Sequence, residues 1–170
     1  KEMSEKMNAK KFQEIINHFI EVVSKDKDID LSTFYHNLET LEITIGESEK
    51  VFNSGYNNFD NRIYFADTKH FQDAIYHELF HCASTKLEGN TSYSGFYVYN
   101  DDTKVIQGLG INEGYTETLH QRYFGKGQGY AAEQLYIQKL EQIIEPETMK
   151  KLYFNSDLQG LILNYQNMLL

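Results

Sequence analysis

Apolar residues fall at Phe12, Ile15, Ile16, Phe19, Ile20 and Val23, with Lys and Glu between them. That i, i+3, i+4, i+7 spacing predicts an amphipathic helix over 3–24, packed over a core. A short helix is expected over 32–38, and then a strand over 41–45, where apolar and polar residues alternate. Residues 46–60 are rich in Asn, Ser, Gly and Asp and read as a loop. A second strand covers 61–66. Asp67 then caps a helix over 68–87, whose buried stripe is Phe71, Ile75, Leu79 and Ala83 and which Gly89-Asn90 ends. Apolar stretches at 96–99 and 104–106 flank Asn100-Asp101-Asp102-Thr103, which is hairpin chemistry. A helix from about 111 ends near Gly125, and a glycine-rich loop over 125–129 leads into a helix over 130–144. Pro146 suits the first turn of a helix to Phe154, and a last helix covers 157–169. No repeat or low-complexity linker interrupts the pattern. The chain therefore reads as one α+β domain over 1–170, with a small mixed sheet and a largely helical C-terminal half.

Composition narrows the partners. The 170 residues are 41% apolar and 14% aromatic, enough for a packed core built on Tyr and Phe in the absence of Trp. A net charge of −9 leaves no basic patch for nucleic acid. No apolar run approaches the roughly 20 residues of a bilayer span. Cys82 is the only cysteine, so no internal disulfide forms, and a buried structural thiol is expected. Asp26, Asp28 and Asp30 lack the glycine and terminal glutamate of a calcium loop and are expected as exposed turn and cap residues. The chain opens on Lys, so an upstream segment is expected to have been removed. Cytoplasmic and secreted locations both stay open.

The chemistry concentrates in His77-Glu78-Leu79-Phe80-His81. Four apart on a helix, the two imidazoles share a face about 5–6 Å apart at Cβ, from which both can reach one metal ion. Glu78 projects beside them, where a carboxylate can take a proton from a bound water. A shuffled chain of this composition yields the pattern about 2 times in 100, so its context must decide. A catalytic zinc site wants three protein ligands and one open position. The sequence should therefore offer a third ligand downstream.

The segment Asn112-Glu113-Gly114-Tyr115-Thr116-Glu117, taken together with the HELFH helix, resembles the gluzincin branch of zinc metallopeptidases. It looks closest to small bacterial HExxH proteins with an NEGxTE-type second motif. The likeness covers about 61–124. It implies a zincin-like fold, one Zn2+ ion, and a peptide or protein substrate cut by a metal-activated water. By that resemblance His77, His81 and Glu113 are the ligands, Glu78 is the general base, and Glu117 supports His77. A reversed assignment, with Glu117 ligating and Glu113 supporting, stays open. The spacing between the two motifs is longer than in the common aminopeptidase pattern, and the exopeptidase signature of that group is absent. The strand over 61–66, with Ile63, Tyr64 and Phe65, matches in position the edge strand on which zincins lay extended peptides. Donors for the reaction's oxyanion are sought among Tyr97, Tyr99, His120, Tyr123 and Tyr130, with His120 and Tyr123 put forward as catalytic. Two rival readings accompany the peptidase: a non-catalytic zinc-containing binding or regulatory module on the same fold, and a helical scaffold carrying a chance motif.

Overall fold

The computed structural model describes residues 2–46, 53–125, 127 and 129–170. Part of the expected 46–60 loop, and Lys126 and Gln128 of the glycine-rich loop, lie outside the described residues. The architecture is α+β. Two N-terminal helices, α1 (Glu2–Val23) and α2 (Ser32–Leu38), precede three short strands, β1 (Glu42–Ile45), β2 (Ser54–Asn57) and β3 (Arg62–Phe65). The helix α3 (Thr68–Ala83) follows, and then strands β4 (Thr85–Glu88), β5 (Thr91–Ser94), β6 (Tyr97–Asn100) and β7 (Ile106–Gln107). The remainder is helical: α4 (Leu109–Phe124), α5 (Ala131–Glu141), α6 (Pro146–Phe154) and α7 (Leu158–Met168). No helix among the described residues is long and apolar enough to cross a membrane.

The strands form two sheets. The first is mixed, in the order β1-β3-β2, with β3 parallel to β1 and antiparallel to β2. The second is an antiparallel meander in the order β4-β5-β6-β7. Both expected strands and the 97–107 hairpin are present, but the expected long helix is shorter. It stops at Ala83 because Ser84 and Thr85 turn their hydroxyls back onto the carbonyls of Phe80 and His81, at 2.9 and 2.7 Å. Such bonds compete with the helical ladder. Gly89 and Asn90, expected to end that helix, instead make the two-residue loop of the β4–β5 hairpin. The stretch 54–57, expected within a loop, is strand β2.

One hydrophobic core joins the elements. Phe19 of α1 meets Phe34, Phe80 and Phe124 at ring-centroid distances of 4.8, 4.9 and 5.7 Å. The stripe Phe71, Ile75, Leu79 and Ala83 is buried as the periodicity predicted. Asp26 departs from the expected exposed turn. It accepts hydrogen bonds from Lys150 Nζ (2.7 Å) and from the Tyr123 hydroxyl, and so ties the α1–α2 link to α6 and α4. Gly114 lets α5 lie close on α4, since a Cβ there would stand 2.8 Å from the Glu133 backbone.

Candidate functional site

Helices α3 and α4 pack side by side and face a cleft of about 1080 Å³. Periodicity explains what α3 contributes. Phe71, Ile75 and Leu79 occupy the core side, which turns His77, Glu78 and His81 towards the cleft. Helix α4 is unusual in burying a polar face. Asn112, Thr116, Glu117, Thr118 and His120 are all buried, and each polar side chain needs a partner there. Asn112 Oδ1 accepts the Phe96 N–H at 2.9 Å, and Thr116 meets the Tyr153 hydroxyl at 2.8 Å. Those bonds fix the rotation of α4, and with it the direction of Glu113 and Glu117.

The geometry is compact. His77 Nε2 lies 3.1 Å from His81 Nε2 and 3.1 Å from Glu113 Oε2, and His81 Nε2 lies 3.4 Å from the same oxygen. Tetrahedral ligands at about 2.0–2.1 Å from an ion stand about 3.3 Å from one another. The three donor atoms therefore have the separations that one zinc-sized ion requires. On the far side of the ring, the His77 Nδ1–H donates to Glu117 Oε2 at 2.6 Å. A carboxylate there sets the tautomer and leaves Nε2 for the cleft. A second grouping, His77, Glu117 and His120, also lies within 4.8 Å. In it, however, Glu117 is already occupied by His77, by His120 Nδ1 at 3.3 Å and by the Gly129 N–H at 3.3 Å.

Electrostatics bind the cluster together. Burial opposes charge on His77, but hydrogen bonds to Glu113 and Glu117 and the nearby Glu78 charge raise its pKa to about 10. Burial would raise Glu113, yet the His81 and His77 imidazoles hold it well below the usual carboxylate range. Burial likewise opposes ionisation of Glu117, and hydrogen bonds from His120 and His77 bring it down to about 2. Glu78 is 5% exposed, lines the cleft, and makes no hydrogen bond or ion pair among the described residues. Asp73, one turn before His77, also lines the cleft, and no Lys or Arg does among the described residues.

The expected donors separate into three groups. Tyr97 and Tyr130 line the cleft. Tyr130 stacks on the His77 ring at 5.8 Å, and burial and the Glu113 charge push its phenol up. Its φ of 56° is a left-handed conformation that costs a non-glycine residue strain, of the kind that collects at functional sites. Tyr123 is placed elsewhere: its hydroxyl donates to Asp26 and does not reach the cleft. Tyr99 donates to Asp101 in the exposed hairpin. His120 borders the cleft but is 1% exposed, and its Nδ1 lies 3.3 Å from Glu117 Oε2, where it can position that carboxylate. Its Nε2 has no partner among the described residues.

The expected peptide-binding strand also needs correction. β3 has β1 on one side and β2 on the other, so its backbone is fully paired. Ile63 and Phe65 are 0% exposed in the core, and only Tyr64 faces the cleft. Among the described residues β2, like β1, is an edge strand. Asn53 turns its carbonyl to Ala66 of the β3 side, so by alternation Ser54 and Tyr56 direct their N–H and C=O groups away from β3. Ser54, Gly55 and Tyr56 line the cleft. The sequence also left unread the packing of the glycine-rich loop. A methyl at Gly127, where φ is 101°, would overlap Glu117 Oε1 and crowd His120 Nδ1. The spaced glycines before Tyr130 were the available signal. No known protein family, curated protein or solved structure matches this chain.

Proposed function

We propose that this chain is a zinc-dependent peptidase of zincin-like fold, with the ion held by His77, His81 and Glu113. The observation that carries the reading is the triangle of 3.1, 3.1 and 3.4 Å beside the buried Glu78, which is unpaired among the described residues. A purely structural zinc site closes with a fourth ligand and needs no free carboxylate alongside. Glu117 then serves as the support for His77, because its short bond is to the nitrogen turned away from the triangle.

Zinc held there supplies Lewis-acid polarisation and lowers the pKa of a bound water towards 7. Glu78 accepts the proton of the attacking water and delivers it to the leaving amine. Tyr130, stacked on His77, and Tyr97 face the cleft as hydroxyl donors to the developing oxyanion. The edge of β2 that carries no strand among the described residues offers Ser54 and Tyr56 backbone groups to an extended peptide in the cleft.

The test has two steps. Metal analysis of the purified protein should give one zinc per chain, and a digest of a peptide library should then yield cleaved bonds. The Glu78→Gln variant should retain its zinc and lose hydrolysis by at least about 100-fold. A metal-free protein, or undiminished turnover in that variant, would sink the assignment.

A further inference from the structure

A second pocket of about 630 Å³ opens beside the metal cleft, and the two share Tyr56 and Asn58 as walls. It contains no grouping of His, Cys, Asp and Glu that could hold a metal among the described residues. Its sides are α2, through His36 and Asn37, the β2–β3 turn, and every residue of β4. β4 is the end strand of its sheet, so one of its edges has no strand beside it among the described residues.

The pairing pattern fixes which backbone groups that edge offers. Ser84 turns its carbonyl to the Gly95 N–H, on the β5 side. Thr85 turns its carbonyl the other way, where Asn37 Nδ2 donates to it at 2.9 Å. Antiparallel strands alternate, so Lys86 and Glu88 pair with β5 while Leu87 points its N–H and C=O outward. The Thr85 carbonyl is therefore satisfied by a side chain, whereas both backbone groups of Leu87 are without a partner among the described residues. Leu87 is 47% exposed, and it lines the pocket. The open edge of β2 runs out at Asn57, and Asn58, the next residue, belongs to both pockets. Asn58 is itself held to Ser92 of β5 at 2.8 Å, which joins the turn to the second sheet. The edges of β2 and β4 thus border two adjoining pockets that meet at Tyr56 and Asn58.

We propose that β4 is a remote docking edge for the substrate chain: an extended polypeptide that lies along β2 at the metal continues past Asn58 and pairs with Leu87. This rests on the peptidase reading and narrows its substrate class to long, unfolded polypeptides rather than dipeptides or free termini. The occupant is the substrate's own chain because the pocket adjoins the cleft at Tyr56 and Asn58 and offers backbone groups, which recognise any sequence held extended.

The experiment compares two synthetic peptides built around a bond found by digesting unfolded casein with the zinc-loaded protein. One just spans the metal cleft, and the other extends from it by about six residues, roughly 20 Å of strand. The longer peptide is expected to show kcat/KM about tenfold higher, the gain of roughly two backbone hydrogen bonds. Extension on one side of the bond should give this gain and extension on the other should not. Leu87→Pro removes the outward N–H without touching the β4–β5 ladder. It should abolish the gain while hydrolysis of the short peptide is unchanged, whereas Leu87→Val should keep the gain. Long peptides N-methylated at successive positions in the extension test the same contact without altering the protein, and at least one of them should lose the gain. Equal rates for long and short peptides would overturn the docking edge alone. A dimer in sedimentation that Leu87→Pro converts to monomer would also overturn it, because a second copy would then fill the edge. Cleavage of neither peptide nor casein overturns the peptidase reading and the docking edge with it.

Discussion

Glu113 and Glu117 stand one helical turn apart on α4 and meet opposite nitrogens of the same imidazole. Helical spacing alone puts both on one face and leaves their order open. The distances assign Glu113 to the cleft side of His77 and Glu117 to the far side. The two substitutions should therefore differ in kind. Glu113→Ala is expected to abolish stoichiometric zinc binding. Glu117→Gln is expected to keep one zinc per chain with affinity lowered by about 10–100-fold. Competition with a calibrated chelator measures both, and the opposite order would exchange their roles. Cys82 makes a second residue-scale case. Burial pushes its thiol up to about 12, so it stays protonated and shielded at neutral pH. Native protein should react with a thiol reagent only slowly, with full labelling on denaturation.

Much of the element order is legible in the sequence, because periodicity reports burial. The stripe of α3, the Asp67 cap, whose Oδ1 accepts the His70 N–H at 2.8 Å, and Pro146 at the start of α6 all follow local rules. β2 does not, because Ser-Gly-Tyr-Asn carries no apolar alternation and becomes a strand only by pairing with β3. The end of α3 was misread for a related reason: two hydroxyls decide it, and a hydropathy pattern does not weigh them. At the site, His77, Glu78, His81, Glu113 and Glu117 are readable as types at spacings. The fate of each tyrosine is not, since Tyr123 and Tyr130 differ only in what packs opposite them. The loop between α4 and α5 offers an element-scale test. Gly127→Ala places a methyl against Glu117 in a backbone conformation that favours glycine. It should lower stability by about 1–3 kcal/mol in thermal unfolding and weaken zinc binding, although residue 127 ligates nothing.

Across the molecule, the long-range ties are polar as well as apolar. Burial pushes the Asp26 carboxyl up, but the Lys150 ammonium and the Tyr123 hydroxyl more than offset this and hold it below its ordinary value of 3.8. A depressed carboxyl pKa contributes stability that is present above about pH 4 and is lost as pH falls through the folded-state value. Asp26→Asn should therefore cost roughly 1–2 kcal/mol near neutrality. The difference from the parent chain should shrink towards zero as acid titrates the parent's carboxyl, as denaturant unfolding at several pH values would reveal. The connectivity of the ligands carries a consequence of its own. The chain leaves α3 just after His81, traces the whole β4–β7 meander, and returns as α4 at Glu113. An ion gripped by both helices would be the clasp of a noncovalent ring enclosing one entire sheet, and closing a ring removes entropy mostly from the opened chain. Chelation should then speed amide exchange in β4–β7 more than in β1–β3, so the metal's absence would be felt first by strands that never touch it.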